Sequence, residues 1–185
     1  MRKIVAHTIL TLDGAAHFDA VADIIGELRG TPEVLDPFFT RCAQEDAMLL
    51  GRVTYEEWAQ DWPTSDFAAF ADHINSVEKY VASTTLTEAP WGDFPPATVL
   101  TGDLTSAVAE LKVRDGANIG IHGSPTLTEH LLHAGLVDEL RLEIYPVVAG
   151  SGARLFGGDQ PSLRLRLIDA RTTSNGVLIA SYGRS

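Results

Sequence analysis

Apolar residues fall in short runs along this chain, separated by polar and glycine-rich breaks. Residues 3–12 are almost continuously apolar and β-branched, which predicts a central strand buried on both faces, ended by Asp13-Gly14. Residues 17–30 carry Val21, Ile24, Ile25 and Leu28, a spacing that fits a short helix or a loop folded over a ligand. Residues 33–46 predict a helix with Leu35, Phe38, Phe39, Cys42 and Ala43 on its apolar face and Pro32 at its start. Residues 47–50 predict a short buried strand that ends at Gly51 and Arg52. Thr54 and Glu57 are then spaced as a capping box, and Trp58 and Trp62 close the helix before Pro63. A further amphipathic helix is expected over 67–74 and a strand over 79–82 that runs into Ser83-Thr84-Thr85. A strand over 97–101 and a helix over 104–113, capped near Asp103, follow.

Residues 117–156 organise the rest. Ile119 and Ile121 suit a buried strand, and Gly120, His122, Gly123 and Ser124 interrupt the pattern. Ser124 is a candidate N-cap with Pro125 at the first helical position; Thr126 and Glu129 offer a rival start. Leu127, Leu131 and Ala134 share one helix face, and Gly135 suits its stop. Leu140, Leu142 and Ile144 then alternate with Arg141, Glu143 and Tyr145 as in a strand. A half-buried strand is expected over 163–168, and Asn175-Gly176 marks a hairpin into a returning strand over 177–181. Eight strands result, the first five separated as parallel pairing requires and the last forming an antiparallel edge. Two strand–glycine–helix junctions stand out, at Gly51 and Gly123. A helix start leaves N–H groups unpaired, and its dipole favours an anion; a tight structural turn explains such a junction equally well. Arg52 beside the first junction can grip a phosphate or form a surface ion pair.

The 185 residues suffice for one domain with a substantial core. A formal charge of −11 argues against nucleic acid and against an anionic membrane, though a local pocket can oppose the global sign. The single cysteine, Cys42, permits no internal disulfide. The apolar run at the N-terminus is short, interrupted by His7 and followed by Asp13, so it does not read as a signal peptide, and the protein reads as cytoplasmic. The glycine fingerprint of Rossmann folds, the P-loop and the nucleophile elbow are all missing. His130 and His133 lie three apart on one helix without an evident third ligand, so no metal is expected. A sheet edge or helix interface could support a homodimer.

Four stretches carry a resemblance: TLDG at 11–14, LLGRVTYEEW at 49–58, VASTTL at 81–86, and IHGSPTLTEHLLHAGLVDELRLEIYPVVAGSGARLF at 121–156. Together they make the chain similar to the dihydrofolate-reductase-like family, and within it to the C-terminal reductase domain of the bacterial riboflavin-biosynthesis deaminase-reductase. The resemblance implies one domain over 1–185: an α/β fold with an eight-stranded, mostly parallel sheet flanked by helices and ending in an antiparallel hairpin. It also implies NADPH. Carried over, Gly51, Arg52 and Thr54 lie near the phosphates, and Ser83 and Thr85 near the adenosine ribose. Gly120, His122, Gly123, Ser124, Thr126 and Leu127 line the pyrophosphate and nicotinamide side. Thr84 stands where the family often has an arginine able to hold the 2′-phosphate. For the proton-handling carboxylate the candidates are Asp13, at the end of the first strand, and Asp36, near the start of the first long helix, where Glu33 also lies. The expectation is an NADPH-dependent reductase of a small heterocycle, pteridine-like or ribityl-aminopyrimidine-like. The alternative is a non-catalytic small-molecule binding protein on the same fold.

Overall fold

A computed structural model describes residues 1–17, 19–157 and 160–185, without the side chains of Ala68 and Ala69. In chain order it contains β1 (Ile4–Thr11), α1 (Ala22–Arg29), α2 (Pro32–Cys42), β2 (Glu45–Gly51), α3 (Arg52–Asp61), α4 (Ala68–Ser76), β3 (Glu78–Ala82) and β4 (Thr98–Leu100). There follow α5 (Leu104–Val113), β5 (Asn118–His122), α6 (Pro125–His133), β6 (Glu139–Tyr145), β7 (Leu165–Thr172) and β8 (Leu178–Arg184). The described strands form one sheet in the order β4-β3-β2-β5-β1-β6-β8-β7. The chain moves outward from β1 through β2, β3 and β4, then returns to insert β5 between β1 and β2. β6 pairs in parallel with β1, so the parallel block holds six strands, one more than the sequence pattern suggested. Only β8 and β7 run antiparallel to their neighbours.

Period-two alternation, with both faces covered, explains the core. On β2, Ala47 and Leu49 pack with Ile119, Ile121, Leu127 and Leu131 on one face of the sheet. Met48 and Leu50 point the other way, toward Phe38, Tyr55, Phe70, Ile74 and Trp91. β1 is buried along almost its whole length, as a strand between two helical layers must be.

Two elements depart from the sequence expectation. The helix expected over 33–46 ends at Cys42, and Glu45 already belongs to β2, whose Glu45 and Ala47 pair with Asn118 and Ile119. Sheet pairing at that point outweighs continued helix formation. The strand expected over 163–168 runs from Leu165 to Thr172 and is not half-buried: Leu163, Leu167 and Ile168 are exposed because β7 is the sheet edge. Among the described residues no helix is long and apolar enough to cross a membrane.

Trp91 is fully buried beneath α3 and α4. Its Nε1 donates to Asn75 Oδ1 at 2.7 Å, and the Lys79 ammonium sits 5.1 Å from its ring centroid. Truncation to alanine leaves a cavity and strands the Asn75 oxygen. Urea denaturation of Trp91→Ala is expected to show a loss of about 3–5 kcal/mol.

Candidate functional site

The two glycine junctions meet. β5 ends at His122; Gly123 and Ser124 then both take left-handed backbone angles, with φ of +60° and +52°, before Pro125 opens α6. Ser124 is the only described non-glycine residue with positive φ. That conformation costs about 1–2 kcal/mol for an ordinary residue. The strain is offset by what the hydroxyl does. Ser124 Oγ accepts the Gly51 N–H at 2.9 Å and donates to Thr54 Oγ1 at 2.9 Å, so it joins the end of β2, the start of α3 and the start of α6. The cap boxes read from Thr54–Glu57 and Thr126–Glu129 do not form: α3 starts at Arg52 and α6 at Pro125, with no side-chain cap bond. The Thr126 and Leu127 N–H groups find no acceptor among the described residues, as first-turn amides do. A side chain at Gly51 would press on the Ser124 hydroxyl at 3.2 Å, which explains the glycine there.

A continuous groove follows the carboxyl edge of the sheet. Its middle, about 520 Å³, is lined by Gly51, Arg52, Thr54, Gly123, Ser124 and Thr126 among others. One end, about 470 Å³, shares Gly51, Arg52, Thr126 and Leu127 and extends to Ala82 and His130. The other end is a more enclosed cavity of about 290 Å³ that shares Ala16, Trp58, Gly123 and Pro125 with the middle. Arg52 pairs with Glu56 at 2.6 Å on an exposed surface, and Glu57 also lines the groove. Such an exposed pair contributes little and opens readily.

Residues 12–17 pair with the 147–154 loop to roof the groove: Leu12 N–H donates to Val147 O, and Ala16 N–H to Ala153 O. Asp13 clasps the two segments. Its carboxylate accepts from Thr11 Oγ1, Ala149 N–H and Gly150 N–H, and these bonds hold its pKa down to about 2. Asp36 lies apart; it is exposed and borders a separate shallow depression beside Arg41. Ser83 caps its own turn by accepting from Thr85 N–H and Leu86 N–H, and neither Ser83 nor Thr85 borders the three spaces above. Gly120 is buried within the sheet rather than in the groove, where a Cβ would collide with the Glu45 carboxylate.

The enclosed end holds a constellation of which sequence reasoning singled out His122 but not His7 or Glu45. Trp58, Trp62, Phe38 and Phe70 wall the cavity together with Arg29, Arg41, Arg141 and Glu143. Glu45 is buried beside it. One carboxylate oxygen meets His7 Nε2 at 2.7 Å and the other meets His122 Nε2 at 2.8 Å. The two imidazoles stack 4.7 Å apart with planes 2° from parallel, and Phe38 presents an edge to both. Burial pushes the His7 pKa down to about 4, against the pull of its Glu45 hydrogen bond. Burial alone would raise the Glu45 pKa. The His122 and His7 contacts overcome it and bring the group to about 2. Glu45 escaped notice because it sits where the apolar helix pattern fades, and His7 because a lone histidine inside a strand looks structural. The available signal was two strand histidines placed in register: His7 pairs with His122 across β1 and β5.

The signs of these shifts fix the acid response. The folded His7 pKa lies below its unfolded value, so the unfolded chain takes the proton first and stability falls as pH drops from about 6.5 to about 4. Glu45 adds a further loss from about 4.5 down to about 2. Gly120→Ala, which forces the carboxylate away from His7, is expected to cost about 1–3 kcal/mol at pH 7 and, by removing the contact that holds the His7 pKa up, to carry the His7-linked loss of stability below pH 4. Chemical denaturation across pH measures both.

Comparison with known proteins agrees with this architecture. A protein from Shewanella sp. PV-4 provisionally assigned to riboflavin biosynthesis superposes with a TM-score of 0.81 at 22% identity, covering 99% of both chains. Dihydrofolate reductase from Enterococcus faecalis, solved with NADP(H), gives a TM-score of 0.62 at 14% identity, covering 99% of this chain and 96% of that one. These likenesses establish the dihydrofolate-reductase-like fold. The uncharacterized protein YyaP of Bacillus subtilis (strain 168) is 30% identical over 188 residues, which is 98% of this chain and 94% of YyaP. Residues 2–179 match the RibD C-terminal domain, and the chain therefore belongs to the RibD C-terminal domain family.

Proposed function

We propose that the protein is an NADPH-dependent reductase of a small planar heterocycle, pteridine-like or ribityl-aminopyrimidine-like. One observation carries the reading: the Ser124 hydroxyl ties the two helix starts into a single groove that opens into an aromatic cavity. The groove suits a dinucleotide. Gly51 and Gly123 keep its floor clear, Thr126 and Leu127 offer free N–H groups, and Arg52 adds a fixed cation. Family membership and the NADP(H) bound to the Enterococcus enzyme support the same cofactor. When bound there, a nicotinamide supplies the hydride. The chain's part is to hold phosphates at Gly51, Arg52, Thr54, Ser124, Thr126 and Leu127, and to stack the substrate against Trp58, Trp62 and Phe38. Gly123 and His122 stand where the two spaces join. Ser83 and Thr85, beyond Ala82, are proposed to meet the adenosine end. In this reading Asp13 keeps the roof closed over the groove, and Asp36 borders a neighbouring depression that shares Arg41 and Arg141 with the cavity wall.

Titration by nicotinamide fluorescence is expected to give saturable NADPH binding. Arg52→Ala should raise Kd about tenfold while leaving stability within about 0.5 kcal/mol. Ser124→Ala removes the tie between junctions and leaves the Gly51 N–H unpaired. It should weaken binding and also cost about 1–3 kcal/mol of stability. Absence of saturable binding to the unmodified protein removes the reading. Binding without oxidation of NADPH by any pterin or aminopyrimidine would leave the binding-protein alternative.

A further inference from the structure

The buried carboxylate fixes where the imidazole protons lie. An ionised carboxylate accepts only, so each Nε2 that meets Glu45 must carry its hydrogen. His7 is neutral at physiological pH because burial disfavours its charge. A neutral imidazole has one N–H, and His7 spends it on Glu45. Its Nδ1 is therefore a bare lone pair. Nδ1 of His7 meets no donor among the described residues, and the ring borders the enclosed cavity. His122 meets the other oxygen of the carboxylate, and its ring stacks on His7.

We propose that Glu45 is a positioning residue that locks His7 in the Nε2–H tautomer, so that His7 Nδ1 reads an N–H or NH2 donor on the heterocycle entering the cavity. The ring that His7 reads presents an N–H or NH2 donor on the edge facing β1. Aromatic residues on several sides supply stacking without direction. The three arginines and Glu143 in the wall supply charge but no buried neutral acceptor of this kind. The inference rests on the proposed substrate cavity and not on the cofactor groove.

A metal explains the same side chains less well. Two histidines and a carboxylate lie within 4.8 Å of one another and are fitting ligand types. Here each Nε2 meets a different oxygen of one carboxylate, and the rings are parallel rather than converging on a common point. That is the arrangement of a carboxylate bridging two donors.

The test reads the tautomer directly. In protein labelled with 15N-histidine and free of cofactor, long-range proton–nitrogen correlation should show His7 as Nε2–H with an unprotonated Nδ1. Glu45→Gln is close to isosteric, but its amide nitrogen donates. The ring facing that nitrogen must flip to the Nδ1–H form, so one histidine in the variant should change tautomer. Tryptophan fluorescence then reads the ligand. Isocytosine, which presents N–H and NH2 donors, should bind the unmodified protein at least about tenfold more tightly than dimethoxypyrimidine, which only accepts. Glu45→Gln should shrink that ratio if His7 is the ring that flips and leave it unchanged if His122 is. His7→Phe, which keeps a ring but no nitrogen, should abolish it while NADPH affinity is retained. An Nδ1–H tautomer in the unmodified protein, nitrogen shifts of a metal-bound ring, or equal binding of the two probes overturns the proposal. Because none of the outcomes that overturn the proposal is read with NADPH, they can occur without failure of the cofactor reading, and the reverse.

Discussion

One hydroxyl group holds the candidate site together. Ser124 stands in a backbone conformation that costs energy, and its Oγ is satisfied only because Gly51 and Thr54 come to meet it from a segment 70 or more residues away. Remove the parallel pairing of β2 with β5 and the bond has no second partner. The groove thus depends on sheet register first and on side-chain chemistry second. A serine that merely capped its own helix would leave the two junctions independent.

Burial of charge is the second organising constraint. Glu45 loses its water between two layers of helix, and an unpaired carboxylate there would be strongly unfavourable. Two imidazole N–H groups compensate it, one on each oxygen. Gly120 makes room for the arrangement by having no side chain. The wall next to it sets arginines against carboxylates: Arg29 pairs with Glu143, and Arg141 with Glu139.

Much of this was visible in the residues. The strand count, the hairpin at Asn175-Gly176, the two junctions and the Asp103 cap follow from local rules of periodicity, turn chemistry and capping, and the fold bears them out. The end of α2 was not visible, because Ala43, Gln44 and Glu45 favour a helix and only pairing with β5 overrides that preference. Nor was the exposure of β7, since an alternating pattern says which residues share a face and nothing about whether another layer covers that face. Glu45 and His7 were hidden for a related reason: they lie on β2 and β1, on either side of β5, and no spacing within either segment encodes the contact between them.

The amino-acid order by itself determined the α/β class, the succession of strands and helices, and two places where an extended segment gives way to a helix through glycine. These are consequences of interactions between near neighbours along the chain. Tertiary structure alone decided that the two places share one hydroxyl, that a buried glutamate bridges the Nε2 atoms of two stacked histidines, and that aromatic side chains from α2, α3 and α4 close a cavity over them. Those are contacts between residues far apart in sequence, and only the register of the folded sheet brings them within hydrogen-bonding distance.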